Sequence, residues 1–382
     1  QLKYKAFDPA VESNYSTSIS FKTAAVLPTD KWQLTEQAGD LDYYRLQVVG
    51  NKVYALGKGV MRSSNGVSWT EVTTTNYVNV SPQLPSSVAS NSTTIISVYA
   101  NENNSILKST DLGSTWSEVS VGCQIEGIAF GDGVWLGIAR DKKYCLSTDN
   151  GASWTTRTGS FEDDSTPLVF YCENNKFVLT QNILGGAIYV YDSSTDTWSD
   201  YAPHSSNLKY ACGTYFNGKA YLGTSTFYTV ENIAVSSDLA TWVGKTPSGS
   251  TGGAFWEPRS VIGANVNGKD TIVFVTNSNI VNNLAVSEDD GDTFAYYTSE
   301  PGQWNSIVYF NNYFICMTFV NKPDSIQYSS DPTQNGSATF LAYDADAGKT
   351  INDLDIVARF GVDPTTNLNR FGIYDLTEQP TY

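Results

Sequence analysis

The sequence predicts an all-β protein: a seven-bladed β-propeller of four-stranded antiparallel blades, with an eight-bladed ring closed by a composite last blade as the alternative. Three observations carry this expectation. A polar turn ending on a large aromatic recurs along the chain, its copies fall about 40–50 residues apart, and the intervals read as short strands between Gly, Asn and Asp.

The clearest copy is Ser147-Thr148-Asp149-Asn150-Gly151-Ala152-Ser153-Trp154. Ser109 to Trp116, with Asp111 and Gly113, and Ser287 to Phe294, with Asp289 and Gly291, repeat it. Looser copies end on Trp69, Trp198, Trp242 (with Asp238) and Phe340. An Asp or Asn here caps backbone N–H groups a residue or two on, and Gly takes a positive φ. The aromatic then opens the next strand and can sink into an apolar core. From aromatic to aromatic (69, 116, 154, 198, 242, 294, 340) the steps are 47, 38, 44, 44, 52 and 46.

The turn resembles the Asp-box, or BNR repeat, Ser-x-Asp-x-Gly-x-x-Trp, found in sialidases, sortilin-like domains, some glycoside hydrolases, photosystem assembly factors and many phage tail proteins. Three copies fit it fully and four are degenerate, so the resemblance covers 41 to about 345. In that family the box is structural and lies away from the ligand face. The resemblance therefore implies that Asp111, Asp149, Asp238 and Asp289, with Trp116, Trp154, Trp242 and Phe294, build turns and hold neither metal nor substrate.

Taken in order, residues 1–40 form an N-terminal extension whose Thr29 to Leu34 reads as the second half of an incomplete box. An outer strand donated from it to the last blade would close the ring without a free edge. The blades follow at roughly 41–78, 79–121, 122–162, 163–205, 206–250, 251–300 and 301–345. In the third, Ile125–Phe130, Val134–Ala139, Tyr144–Ser147 and Trp154–Arg157 are the four strands, with Asp132-Gly133 as the first turn. Equivalent turns are Gly50-Asn51, Asn174-Asn175, Asn217-Gly218, Asn267-Gly268 and Asn311-Asn312. The extension 346–382 holds two strand-like runs, Leu354–Val362 and Asn369–Asp375, which form either an appendage or part of an eighth blade.

Composition narrows function. With 41% hydrophobic residues in 382, the chain can bury one large core, and one propeller accounts for most of it. A net charge of −16 without any basic cluster argues against nucleic acid. No apolar run is long enough for membrane insertion. A single His, His204, leaves no ground for a His-based metal site or triad, and no cofactor is expected. The five Cys read as buried free thiols, with a Cys123–Cys145 disulfide as the alternative. The chain begins at Gln1, which reads as a processed form or a portion of a longer product.

A sialidase needs three inward Arg around a carboxylate, and only Arg45 and Arg259 sit at starts of inner strands. Other glycosidases need two facing carboxylates. Glu126, Glu173, Glu257, Asp163 and Asp164 are the candidates, each indistinguishable from a solvated loop acid. Aromatic and amide-rich loops around Tyr77, Trp256 and Trp304 suit binding better. These three, with Arg45 and Arg259, are the expected ligand-binding residues. An Asp-box propeller flanked by strand-forming extensions resembles phage virion proteins, and that resemblance implies a non-enzymatic virion protein, a phage tail fibre or similar. It would belong to an oligomeric assembly, contact other virion proteins through its termini and bind host-surface glycan. The alternative is an extracellular glycoside hydrolase or lectin.

Overall fold

A computed structural model describes residues 33–34, 43–77, 85–99, 104–162, 167–181, 185–204, 208–224, 232–248, 258–276, 283–297, 304–318 and 326–333, with the strand backbone of 356–362 and 369–375. The chain divides into two compact units, 28–337 and the terminal stretches 1–27 with 338–382. The larger unit is a seven-bladed β-propeller.

Strands are numbered in chain order, from β1 (Gln33–Leu34). Blade 1 is β2 (Tyr43–Val49), β3 (Lys52–Gly57), β4 (Val60–Ser63) and β5 (Thr70–Glu71). Blade 2 is β6 (Pro85–Ser90), β7 (Ile95–Tyr99), β8 (Ser105–Ser109) and β9 (Ser117–Ser120). Blade 3 is β10 (Ile125–Gly131), β11 (Val134–Ala139), β12 (Lys143–Ser147) and β13 (Thr155–Thr158). Blade 4 is β14 (Leu168–Tyr171), β15 (Lys176–Thr180), β16 (Ile188–Asp192) and β17 (Thr197–Tyr201). Blade 5 is β18 (Tyr210–Phe216), β19 (Lys219–Thr224), β20 (Ile233–Ser236) and β21 (Val243–Lys245). Blade 6 is β22 (Pro258–Val266), β23 (Lys269–Thr276), β24 (Leu284–Ser287) and β25 (Ala295–Tyr297). Blade 7 is β26 (Trp304–Phe310), β27 (Tyr313–Thr318) and β28 (Ile326–Ser329), and its fourth strand is β1.

That last pairing closes the ring. Gln33 lies opposite Tyr328 and Leu34 opposite Gln327. Among the described residues, β29 (Ile356–Val362) and β30 (Asn369–Asp375) pair with each other as a two-stranded antiparallel ladder. The alternative of an eighth, composite blade is therefore corrected to seven. The closing partner was supplied by the opposite end of the chain, so no blade was left for the C-terminal runs to complete.

Local chemistry explains the blades. Asp132-Gly133, Asn217-Gly218, Asn267-Gly268 and Asn311-Asn312 all hold both turn residues at positive φ, as type I′ hairpins require. Second strands such as β7 and β27 are almost continuously apolar because a neighbouring blade covers each face. Fourth strands such as β9 and β13 are polar and mostly exposed.

The core is a series of wedges between blades. Trp116 of blade 2 packs with Val49, Tyr54 and Leu56 of blade 1. Trp69 of blade 1 packs with Ile315 and Met317 of blade 7, and Phe294 of blade 6 with Tyr221 and Ile233 of blade 5. Trp242 likewise reaches blade 4. Each of these rings is at most 7% exposed, while Trp154 and Trp198 are half-buried. The turn aromatic therefore glues its blade to the preceding one, which is more than fixing its own hairpin. Phe340 lies outside the described residues.

The sulfurs of Cys123 and Cys145 are joined, tying the segment before β10 to the third strand of blade 3. Cys172, Cys212 and Cys316 are free and buried.

Candidate functional site

The acidic turns have one repeated geometry. In blade 3 the Ser147 hydroxyl donates to Asp149 Oδ1 at 2.8 Å and accepts from Gly151 N at 2.9 Å. Asp149 Oδ1 accepts the N–H groups of Ala152 and Ser153, and the indole of Trp154 donates to Gly151 O. Ser109, Asp111 and Gly113 repeat this, as do Ser287, Asp289 and Gly291. Asp238 accepts from Ser236, Ala240 and Thr241 in the same way. Every carboxylate here accepts at least three hydrogen bonds from its own turn. Those bonds hold Asp238 down to about 2, with the Thr241 and Ala240 amides as the main causes, and lower Asp149 further, chiefly through Ser153.

The turns also bind blades together at their end of the barrel. Asn150 takes a hydrogen bond from Asn91 and gives one to Thr94, both in blade 2. Tyr221 and Lys219 of blade 5 reach Asp290 of blade 6. Asn311 of blade 7 donates to Ser64 O of blade 1.

The opposite end differs. There the inner strands begin, and β5 is joined to β6 through 72–84, β21 to β22 through 246–257, and β19 to β20 through 225–232, against first-hairpin turns of two to four residues at the other end. A cavity of about 680 Å³ lies on the propeller axis, lined by the inner strands of all seven blades. Its charged lining residues are Arg45, Glu126 and Arg259, among hydroxyls that include Ser86, Ser260 and Ser306.

A shared irregularity builds this lining. Among the described residues the register of the first hairpin shifts at Tyr43/Arg45, Pro85/Ser87, Ile125/Gly127, Tyr210/Cys212, Pro258/Ser260 and Trp304/Ser306. A bulge turns one residue out of the ladder, toward the axis here. Glu126 and Arg259 occupy the bulge in blades 3 and 6, and Arg45 is the first residue after it in blade 1. The next position carries Ser87, Ser260 and Ser306. Their hydroxyls accept the N–H of the following blade: Ser87 from Ile128 at 3.1 Å, Ser260 from Ile307 at 3.3 Å, and Ser306 from Leu46 at 3.1 Å. These bonds satisfy inner-edge amides that have no strand partner.

Arg45 Nη2 donates to Ser86 O of blade 2 at 3.0 Å. Glu126 is 8% exposed and held by Arg140 Nε at 3.0 Å and Gln124 Nε2 at 3.1 Å. Burial raises the Glu126 carboxyl above its usual range, and Arg140 opposes this only in part. Arg259 is exposed within the cavity. Its charge partly offsets the burial that raises the neighbouring Cys212 thiol.

Of the sequence-derived ligand residues, then, the structure brings Arg45 and Arg259 to one cavity. Trp304 is fully buried between blades 6 and 7. Tyr77 is 3% exposed, its ring 4.9 Å from that of Trp116 and its hydroxyl bonded to Gly57 O. Both rings fill core, so neither offers a face to a ligand. Trp256 lies outside the described residues, as do Glu257, Asp163 and Asp164. Arg140, which holds Glu126, is not among the candidates that the sequence offers. The two-residue turn at Asp132-Gly133 fixes a register that by itself would set Ile125 against Arg140, and the bulge at Glu126 moves Ile125 to face Ala139 instead. His204 is half-buried.

A second cavity of about 230 Å³ lies where blades 3 and 4 meet. There Arg157 pairs with Asp196, which also accepts from Tyr144 and Tyr191.

No protein-family model matches the sequence, and no curated protein matches it. Solved structures match in fold. A structure described as YCF48 bound to D1 peptide has 15% identity and a TM-score of 0.58, covering 79% of this chain and 97% of that one. The Niastella koreensis GH74 enzyme has 14% identity and a TM-score of 0.58 over 79% of this chain and 54% of its own. The extracellular domain of a two-component system protein from B. thetaiotaomicron has 10% identity and a TM-score of 0.57, covering 78% of this chain and 40% of that one. Identities this low establish the propeller fold and nothing finer.

Proposed function

We propose that this chain works by binding and not by catalysis, as a virion structural or receptor-binding protein whose propeller engages host-surface glycan or a neighbouring virion protein through its axial cavity. The observation that carries this reading is the state of Glu126. It is the one carboxylate among the described residues lining the cavity, and Arg140 and Gln124 already occupy it. Hydrolysis of a glycoside takes two carboxyl groups set across the scissile bond. A buried acid in a closed ion pair serves to hold β10 to β11, and the remaining lining mixes apolar side chains such as Leu46, Val48 and Val261 with a few guanidinium and hydroxyl groups, a combination suited to recognition.

The acidic turns fit the Asp-box, whose place in a propeller is structural, and each here is satisfied by its own turn. That a propeller of this fold in YCF48 is described as bound to a peptide supports use of the fold for docking. The virion assignment leans on the Asp-box resemblance together with the terminal extensions, and such a chain would act within an oligomeric particle. The hydrolase alternative rests on fold likeness to the GH74 enzyme alone.

The test is a glycan array probed with the full chain, run beside an assay for released reducing ends on the same glycans. Binding without turnover supports the reading, and turnover overturns it. Proteomics of purified virions tests location, and absence of the chain from the particle would remove the virion part.

A further inference from the structure

The smaller cavity, of about 230 Å³, lies at the end of the barrel that carries the acidic turns, between blades 3 and 4. It follows from the turn of blade 4. In the full copies the turn Gly packs against the preceding blade: a Cβ on Gly151 would lie 2.7 Å from Ile96, and one on Gly291 2.4 Å from Tyr221. The run from Asp192 to Trp198 has no Gly, and Ser193 and Asp196 line the junction in its place. On the blade 3 side, residues two apart on a strand share a face, so Thr155 and Arg157 of β13 both line the cavity, with Leu146 of β12 opposite Thr155.

The hydrogen-bonding capacity of this lining is uneven. Asp196 is filled, since Oδ1 accepts Tyr144 at 3.0 Å and Tyr191 at 2.7 Å and Oδ2 pairs with Arg157 Nη1. Arg157 keeps further N–H groups to give. Ser153 gives its proton to Asp149 and Ser193 gives its own to Asn175 O, so both offer lone pairs only. The Thr148 and Thr155 side chains are exposed, and their hydroxyls bond nothing among the described residues.

We infer that this junction of blades 3 and 4 is a binding site for one neutral sugar residue, separate from the axial cavity. It goes beyond the axial reading, and either site can fail without the other. The unused groups select the ligand. An anion meets an Arg157 already neutralised by Asp196, on a chain whose net charge is −16. A cation finds no open carboxylate, because Asp196 is filled and Asp149 is held by Ser147 and Ser153 of its own turn. A carbonyl accepts from Arg157 and the threonines but gives nothing to Ser153 and Ser193. A ring of hydroxyls does both, and the half-buried Val134 and Leu146 offer an apolar wall to its C–H face. The volume is below the usual range of about 300–1,000 Å³ for larger ligands, so it suits a single residue at the end or branch of a glycan.

Thr155 is the better probe, because its hydroxyl holds nothing in the protein. Saturation-transfer NMR on the full chain is run with methyl glucoside, methyl mannoside and methyl galactoside, beside methyl glucuronoside, acetyl-lysine amide and acetylglycinamide. At least one neutral glycoside is expected to give a signal that the other three probes do not. Thr155→Val keeps the shape and loses one hydrogen bond, which is expected to weaken that glycoside about fivefold. Thr155→Trp fills the cavity and is expected to abolish the signal. Should Thr155→Trp melt early, Thr148→Trp blocks the mouth from the exposed side of the turn instead. Silence from all three neutral glycosides, a stronger signal from a charged or amide probe, or full affinity in Thr155→Val would each overturn the inference. So would an undiminished glycoside signal in a folded Trp variant, which would put the sugar elsewhere and leave the axial reading standing.

Discussion

The indole nitrogen of Trp116 donates to the carbonyl oxygen of Gly113 at 2.9 Å, while that of Trp198 is buried with no protein partner. The contrast follows from spacing. In the full motif Gly and Trp are three apart, and the ring folds back over the turn. In blade 4 the turn from Asp192 to Trp198 is one residue shorter, and Asp196, not Gly, takes the positive φ.

Removing one nitrogen therefore separates the two sites. Trp116→Phe loses a buried hydrogen bond and part of the wedge between blades 1 and 2. It is expected to cost about 2 kcal/mol. Trp198→Phe removes a donor that has nothing to bond and should cost less than about half as much. Urea unfolding of the two variants measures the difference, and equal losses would contradict the assignment.

Glycine at the turn is required by space as well as by conformation. Gly151 has φ +73, and a Cβ there would lie 2.7 Å from Ile96 Cδ1 in the preceding blade. Gly133 has φ +79 with nothing near. Gly133→Ala should cost about 1 kcal/mol for backbone strain. Gly151→Ala adds the clash and should cost about 2–3 kcal/mol. Thermal melts rank them.

The turn carboxylates set the acid limit. Asp238 is held to about 2 by the Thr241 and Ala240 amides, and Asp149 is lowered by Ser153. Their unfolded value is about 3.9. A depressed folded pKa contributes stability above the unfolded value and loses it as pH falls through the folded one. Stability is therefore expected to hold down to about pH 5 and to decline between about pH 4 and 2. Glu126 runs the other way, because burial raises it and protonation favours the folded form. Asp238→Asn keeps an acceptor and drops one titrating group, so its melting temperature should fall less steeply over that range. Parallel curves for variant and parent would refute this.

Thiol counting tests the blade 3 link. With Cys123 bonded to Cys145 and three cysteines free, denatured protein should titrate three thiols before reduction and all five after it. The three should resist labelling in the folded state, since all are buried and burial raises their pKa values. Rapid labelling of the native chain would place at least one of them at the surface.

What the letters determined by themselves is everything that a few adjacent residues decide. Asn217-Gly218 and Asn267-Gly268 make type I′ hairpins wherever they occur between apolar runs. Ser147, Asp149, Gly151 and Trp154 close a turn with their own hydrogen bonds, so strands, turns and a seven-fold repeat could be read directly. The positions of Arg45 and Arg259 at inner-strand starts were legible in the same way, and both line the axial cavity. Tertiary structure decided what depends on distant segments. Trp304 and Tyr77 look like loop aromatics in sequence, and only the neighbouring blade turns them into core. Glu126 became a closed ion pair because a bulge rotated it beside Arg140. The ring stopped at seven because Gln33 met Tyr328, almost three hundred residues away in the chain. Local turn geometry is set by a few torsions and short-range bonds, whereas the packing of one sheet on the next belongs to both sheets at once.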